Sequence, residues 1–130
     1  MPLFSLDFQS RLPIYEQLYQ NVVRMASLGV LQPGEQLPTV RSLARELGVN
    51  PNTVQKAYQM LERDGILNSV TGRGSYIAEN LSAVEQRRKD ACQRLCQAVD
   101  EAVNAGVDKQ QILSLVQSRL SEENAANHGG

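Results

Sequence analysis

The chain has 130 residues, with 13 Lys and Arg against 14 Asp and Glu, so its formal net charge at pH 7 is −1. This length suits one domain, or one domain with a small appendage. No apolar run approaches the roughly 18 residues that a membrane span needs, and the N-terminus lacks a signal-peptide pattern, so we expect a cytoplasmic protein without a membrane partner. The near-neutral charge argues mildly against nucleic acid as a partner.

The N-terminal region has the pattern of a scaffold. Residues 4–8 alternate apolar and polar side chains, which predicts a short extended arm. A helix is predicted over 13–29, with Tyr15 and Tyr19 beside its apolar stripe. We expect both tyrosines to pack rather than to bind a ligand. Pro33-Gly34 fits the central pair of a type II turn.

Two short helices that meet at a sharp turn follow. Thr39 can cap the start of the first and Gly48 can end it. Asn50 can cap the second, with Pro51 at its first position, where a missing N–H costs nothing. The apolar residues recur at helical spacing: Leu43, Ala44 and Leu47, then Val54, Ala57, Tyr58 and Leu61. This pattern predicts a helix-turn-helix, whose second helix enters a DNA major groove.

A hairpin is predicted directly after this unit. Asp64-Gly65 closes the second helix, and two β-prone runs, 66–70 and 75–78, surround a glycine-rich tip, Thr71-Gly72-Arg73-Gly74. A helix-turn-helix followed by a basic-tipped hairpin is a winged helix. In that arrangement Arg73 can contact phosphates or the adjacent minor groove. The fold predicted for residues 1–79 is therefore mainly α with a small β-wing.

The residue types around the turn suit DNA contacts. Arg41 opens the first helix, where a basic residue is unfavourable for the helix dipole, so a phosphate or base contact explains it better. Asn and Gln suit adenine edges, Thr suits phosphate or a thymine methyl, and Lys suits guanine or phosphate; solvated helix surface is the alternative. Asn50 is expected to act more as a cap than as a reader. The predicted DNA-binding residues are Arg41, Asn50, Asn52, Thr53, Gln55, Lys56, Gly72, Arg73 and Gly74.

From Leu81 the pattern becomes that of two helices. Ser82–Glu85 reads as a capping box, and a second helix starts at Asp108. Two helices cannot cover both of their apolar stripes by packing on each other, so we expect a second subunit to cover them. The predicted dimer-interface residues are Val84, Cys92, Leu95, Val99, Val103, Ile112, Val116 and Leu120. Residues 80–122 are thus a predicted helical dimerisation element, and 123–130 a predicted disordered tail.

Other chemistries find little support. Cys92 and Cys96 lie one helical turn apart and could supply two metal ligands, but nothing nearby completes a tetrahedral site, so we expect reduced, packed thiols and no metal. His128, the sole histidine, lies in the tail without a partner for general-base work. The run Arg87-Arg88-Lys89 favours a solvated helix face, with DNA-backbone or intersubunit contact as the alternative. We predict no catalytic residue and no cofactor.

Several separated motifs carry a family resemblance. They are Pro13-Ile-Tyr-Glu-Gln-Leu18, Gln32-Pro-Gly-Glu-Gln-Leu-Pro-Thr-Val-Arg41, Leu47-Gly-Val-Asn-Pro-Asn-Thr-Val54 and Gly72-Arg-Gly-Ser-Tyr-Ile77. Over residues 11–79 the chain resembles the DNA-binding domain of GntR-family bacterial transcription regulators. The remainder is similar to the YtrA-like subfamily, which lacks a large effector domain. The resemblance implies DNA contacts at the first-helix arginine, the start of the recognition helix and the wing.

Together these features predict a regulator, by resemblance most often a repressor, that binds a palindromic operator in double-stranded DNA as a homodimer. Its half-sites are expected about one helical turn apart. A winged helix used as a protein-interaction module, without DNA sequence specificity, is the alternative that near-neutral charge favours. A small-molecule effector of unknown identity is left open, with its site expected between the domains or across the dimer.

Overall fold

The computed structural model describes the backbone of residues 4–128 and the side chains of residues 4–121. In chain order the elements are α1 (Ile14–Ser27), α2 (Val40–Leu47), α3 (Pro51–Arg63), β1 (Leu67–Val70), β2 (Gly74–Ile77), α4 (Ser82–Asn104) and α5 (Lys109–His128). The chain divides into two compact units, Met1–Gln86 and Arg87–Gly130. The predicted mainly α fold with a small β-wing is confirmed. No helix within residues 4–128 is both long and apolar enough to cross a membrane.

A single hydrophobic core holds the first unit together, because α1 and α2 both pack on α3. Its largest fully buried side chains are Leu18, Val22, Leu31, Leu43, Val54, Leu61, Ile66, Leu67 and Ile77. Each such burial is worth about 1.5–3 kcal/mol relative to exposure. This packing holds α1 and α2 against α3.

The predicted caps on either side of the turn are confirmed. Thr39 Oγ1 accepts a hydrogen bond from the backbone N–H of Ser42 at 3.1 Å, and Asn50 Oδ1 accepts one from that of Asn52 at 2.8 Å. Gly48 ends α2 with φ +68°, a left-handed conformation that glycine adopts without strain. The turn between α2 and α3 is therefore defined locally by three residues that the sequence identifies.

The predicted hairpin is also confirmed. Strands β1 and β2 pair antiparallel, with Leu67 opposite Ile77 and Val70 opposite Gly74. Leu67 and Ile77 are buried at the base, so this end is anchored in the core, whereas Val70 at the far end is exposed. Gln36 forms an isolated bridge with Tyr76, which attaches the segment before α2 to β2 on the side away from β1.

The N-terminal scaffold follows the prediction except in the arm, at Phe8. Tyr19 is buried, and its hydroxyl donates a hydrogen bond to Asp64 at the end of α3. The turn at 32–35 is closed by a hydrogen bond from the N–H of residue 35 to the carbonyl of residue 32, with φ +81° at Gly34. In the arm, Phe4 is buried in the core, but Phe8 is 64% exposed.

The C-terminal helices depart from the prediction at their ends. The capping box at Ser82 is wrong: α4 already includes Ser82, whose N–H donates to Asn80 Oδ1 at 2.9 Å. Asp108 does cap α5, since its carboxylate accepts from the N–H of Gln111 at 2.8 Å. Helix α5 continues to His128, where the sequence predicts a disordered tail, because no glycine or proline interrupts residues 121–128. Residues 129–130 lie outside the described residues.

Candidate nucleic-acid interface

Helix α3 has one buried face and one exposed face. Its apolar residues Val54, Ala57, Tyr58 and Leu61 are at most 4% exposed. The other face carries Asn52, Gln55 and Lys56 in the first two turns, all exposed, with Thr53 half-buried beside them. The structure thus brings the predicted recognition-helix residues together on one solvent-facing surface, whose orientation is set by the core on the opposite side.

Tyr58 attaches this helix to the segment that precedes α2. Its hydroxyl donates a hydrogen bond to the carbonyl oxygen of Pro38 at 2.7 Å, while its ring is 4% exposed. Burial disfavours the charged phenolate and raises the pKa of Tyr58 well above its ordinary value. The neutral hydroxyl therefore remains available as a donor, and it holds the start of α2 against the middle of α3.

Lys56 has a neighbour that local sequence patterns do not reveal. Its Nζ atom lies 3.9 Å from the centroid of the Tyr15 ring on α1, within the range of a cation–π interaction. Such a contact is worth about 0.5–1 kcal/mol at an exposed site. The ammonium group is consequently restrained beside the start of α1, although the side chain remains exposed to an approaching anion.

The wing tip is held by its backbone, which leaves the Arg73 side chain exposed. The carbonyl oxygen of Arg73 accepts two hydrogen bonds, from Gln36 Nε2 at 3.0 Å and from the Tyr76 hydroxyl at 3.2 Å. The N–H of Arg73 donates to the carbonyl of Val70 at 2.9 Å, which closes the turn. Both peptide groups are therefore fixed, and the guanidinium projects from a defined position.

The two tip glycines serve different purposes. At Gly74, with φ +121°, an added Cβ would lie 2.9 Å from Gln36 Nε2, so glycine permits the approach of the amide that holds the tip. At Gly72, with φ +79°, a Cβ would meet nothing within 4 Å, and only the backbone conformation requires glycine. Their DNA-contacting role stays a prediction, while their role in shaping the wing is visible in the structure.

A groove with two arginines lies beside the turn. Arg41 and Arg45, both exposed, line it together with Ala44, Val49 and Pro51, and the volume is about 370 Å³. Arg41 is a predicted DNA contact but Arg45 is not, because a basic residue in the last turn of a helix complements the helix dipole and needs no further explanation. The four-residue spacing from Arg41 is the signal that could have found it.

The second unit exposes most of its apolar side chains. Among the described residues α4 and α5 make little contact with each other, and Leu95, Val103, Leu115 and Leu120 are each more than half exposed. The other predicted interface residues here are exposed as well or half-buried: Cys92, Val99, Ile112 and Val116.

One expectation for α4 requires correction, and another stays a prediction. Val84 is 3% exposed and belongs to the core of the first unit, so no surface is left for contact with a partner. Cys92 and Cys96 are free thiols that no side chain of the described part of the chain covers, so their packing stays a prediction.

Comparisons with known proteins agree with this geometry. The model of bacterial regulatory proteins of the gntR family matches residues 14–77. The chain is 40% identical over 112 residues to the HTH-type transcriptional repressor YtrA of Bacillus subtilis, a match that covers 85% of this chain and 86% of that one.

Two solved structures extend the likeness to three dimensions. A GntR family transcriptional regulator from Listeria monocytogenes is 33% identical, with a TM-score of 0.69 over 85% of this chain and 98% of that one. The DNA-binding domain of AraR in complex with operator ORX1 is 30% identical, with a TM-score of 0.53 over 58% of this chain and 96% of that one.

Proposed function

Because the chain belongs to the GntR family of bacterial regulatory proteins, we propose that it represses transcription as a homodimer bound to a palindromic operator. It is a transcription regulator with a winged-helix DNA-binding domain, and not an enzyme. The observation that carries the proposal is the exposed polar face of α3, which a buried opposite face holds in place. A regulator of this kind meets its operator in the cytoplasm, where we place it.

The proposed DNA contacts fall into two classes. Asn52 and Gln55 are neutral amides that can form bidentate hydrogen bonds with base edges, so they are assigned to reading sequence. Arg41 and Arg73 carry full positive charge, so they are assigned to the phosphate backbone, which dominates affinity through counterion release. Lys56 belongs with them, while Asn50 acts first as the cap of α3. Thr53 is assigned to a phosphate or a thymine methyl.

The proposed homodimer rests on the apolar surface of the second unit. Single exposed leucines are common, but here they recur along both helices, at Leu95 and Val103 on α4 and at Leu113 and Leu120 on α5. A second copy of the same element, related by two-fold symmetry, covers equivalent stripes on both chains. The proposed interface keeps seven of the predicted residues: Cys92, Leu95, Val99, Val103, Ile112, Val116 and Leu120. Val84 is withdrawn.

Selection of bound duplexes from random DNA with the purified full-length protein tests this function. A two-fold symmetric dimer should enrich an inverted repeat with half-sites about one helical turn apart. Enrichment of a single half-site would contradict the dimer but keep the DNA-binding function. No enrichment over the starting pool would contradict both and would favour the protein-interaction module. The variant Gln97→Ala, altered at an exposed position of α4, serves as a control that should select the same sequence.

A further inference from the structure

The groove beside the turn holds two like charges, and the stability of α2 accounts for only one of them, Arg45 in the last turn. Arg41 and Arg45 stand four residues apart on α2, where like charges destabilise a helix by about 0.2–0.5 kcal/mol. Arg41 also lies in the first turn, which contains no acidic residue and where the helix dipole disfavours a cation. Among the described side chains neither arginine has an ion-pair partner. The pair therefore lacks an internal counter-charge.

The remaining walls of the groove are apolar. They are formed by Ala44, which is buried, by Val49 and by Pro51, the first residue of α3. The N–H groups at the start of α3 are already occupied: those of Asn52 and Thr53 donate to the side chain and the carbonyl of Asn50. The two guanidinium groups are thus the side-chain donors that the groove offers to an anion.

We propose that Arg45 joins Arg41 in gripping one phosphodiester of the DNA backbone in this groove, an assignment that rests on the proposed DNA-binding function. Guanidinium groups donate parallel hydrogen bonds to phosphate oxygens, and a groove of about 370 Å³ admits one such group. Because the groove lies at the junction of α2 and α3, this grip fixes how the recognition helix enters the major groove. A polyanion is the favoured occupant, because two exposed arginines in an open groove hold a free anion only weakly.

The variants Arg45→Ala and Arg45→Lys test the assignment, with Arg94→Ala on α4 as the matched control. Affinity is measured by fluorescence anisotropy on the selected inverted repeat and on a scrambled duplex at several salt concentrations. Arg45→Ala should weaken binding to both duplexes by the same factor. It should also lower the slope of log K against log[salt], by at most about 0.9 per subunit or about two units for the dimer, because Arg41 still contacts the same phosphate. Arg45→Lys should keep the slope but lose part of the affinity, because lysine keeps the positive charge but lacks the paired N–H donors of the guanidinium group.

A second arm locates the phosphate. Duplexes in which one phosphate at a time is replaced by a neutral methylphosphonate should reveal one position in each half-site where Arg45→Ala costs no further affinity. A third arm titrates inorganic phosphate alone, with the arginine Nε–H signals followed by NMR, and should show no saturable binding at millimolar concentration. Saturable binding that Arg45→Ala abolishes would reassign the groove to a small anion.

The outcomes separate this inference from the function on which it rests. If wild type binds the inverted repeat and Arg45→Ala behaves like Arg94→Ala, the groove assignment fails while DNA binding stands. If wild type binds no duplex even at low salt, the proposed function fails and the groove assignment fails with it. Thermal melting of each variant, followed by circular dichroism, shows whether the fold is retained, and Arg45→Lys decides the question if Arg45→Ala unfolds.

Discussion

The hydrogen bonds that hold the wing tip should control DNA affinity through Arg73 alone. Tyr76→Phe removes the hydroxyl that donates to the Arg73 carbonyl but keeps the ring, and Gln36→Ala removes the second donor. Neither change alters the net charge or the Arg73 side chain. The expected consequence is a wing tip that samples more positions, so that the guanidinium meets its phosphate or minor-groove site less often.

The size of the effect follows from the exposure of the bonds. Hydrogen bonds of this kind contribute about 0.5–1.5 kcal/mol, and the exposed position of the tip favours the lower half of that range. Tyr76→Phe should therefore cost about 0.5–1 kcal/mol for each wing, or about 1–2 kcal/mol for a dimer with two wings. That corresponds to roughly a five- to thirty-fold rise in Kd for the operator.

A double-mutant cycle is the appropriate assay, with anisotropy titrations of wild type, Tyr76→Phe, Arg73→Ala and the double variant. In the Arg73→Ala background the position of the tip no longer matters, so adding Tyr76→Phe should leave Kd unchanged. Tyr15→Phe is the matched control, because it also removes one phenol hydroxyl while keeping a ring beneath Lys56. An equal loss from Tyr76→Phe with and without Arg73 would refute the idea that Tyr76 acts by positioning that arginine.

Three further predictions concern stability and assembly. Asn50→Ala should lower the free energy of unfolding by about 1 kcal/mol in urea titrations, since it removes the cap of α3, and Asn50→Gly should cost less. Because folding raises the pKa of Tyr58, its contribution to the free energy of unfolding is complete below pH 10 and declines as the pH rises further, by at most about 1.4 kcal/mol per pH unit. In unfolding measurements between pH 9 and 11, the free energy of unfolding should therefore fall more steeply for wild type than for Tyr58→Phe. Truncation after Gln86 should give a folded monomer by light scattering, whereas truncation after Asn80 also removes buried Val84 and should melt at lower temperature.

Local signals account for the parts of the fold that the sequence predicts. Thr39, Gly48 and Asn50 act within three or four residues of their own positions, so the caps and the turn follow from residue type and spacing. The buried stripe of α3 likewise follows from helical periodicity. The same periodicity predicts the amides Asn52 and Gln55 on the opposite, exposed face, and the structure has them there.

The features that the sequence did not predict depend on contacts between distant segments. In the sequence, Val84 is one more apolar residue of the α4 pattern. Only the three-dimensional packing shows that it belongs to the buried core of the first unit. Lys56 above Tyr15 and Gln36 on the Arg73 carbonyl join residues far apart in the chain, for which a single sequence holds no periodic signal. The capping box predicted at Ser82 is wrong for a local reason. The side chain of Asn80, two residues earlier, accepts the hydrogen bond of the Ser82 N–H at the start of α4.

The most direct test of base reading by the exposed face of α3, in two symmetric half-sites, is parallel selection from random DNA with Gln55→Ala and with the control Gln97→Ala. A bidentate contact between an amide and a base is worth about 1–3 kcal/mol of discrimination. Gln55→Ala should therefore recover the wild-type inverted repeat with preference lost at one position in each half-site, while Gln97→Ala recovers the repeat intact. A Gln55→Ala motif identical to that of wild type, or a loss of preference spread evenly over all positions, would show that Gln55 does not read a base from this face of α3.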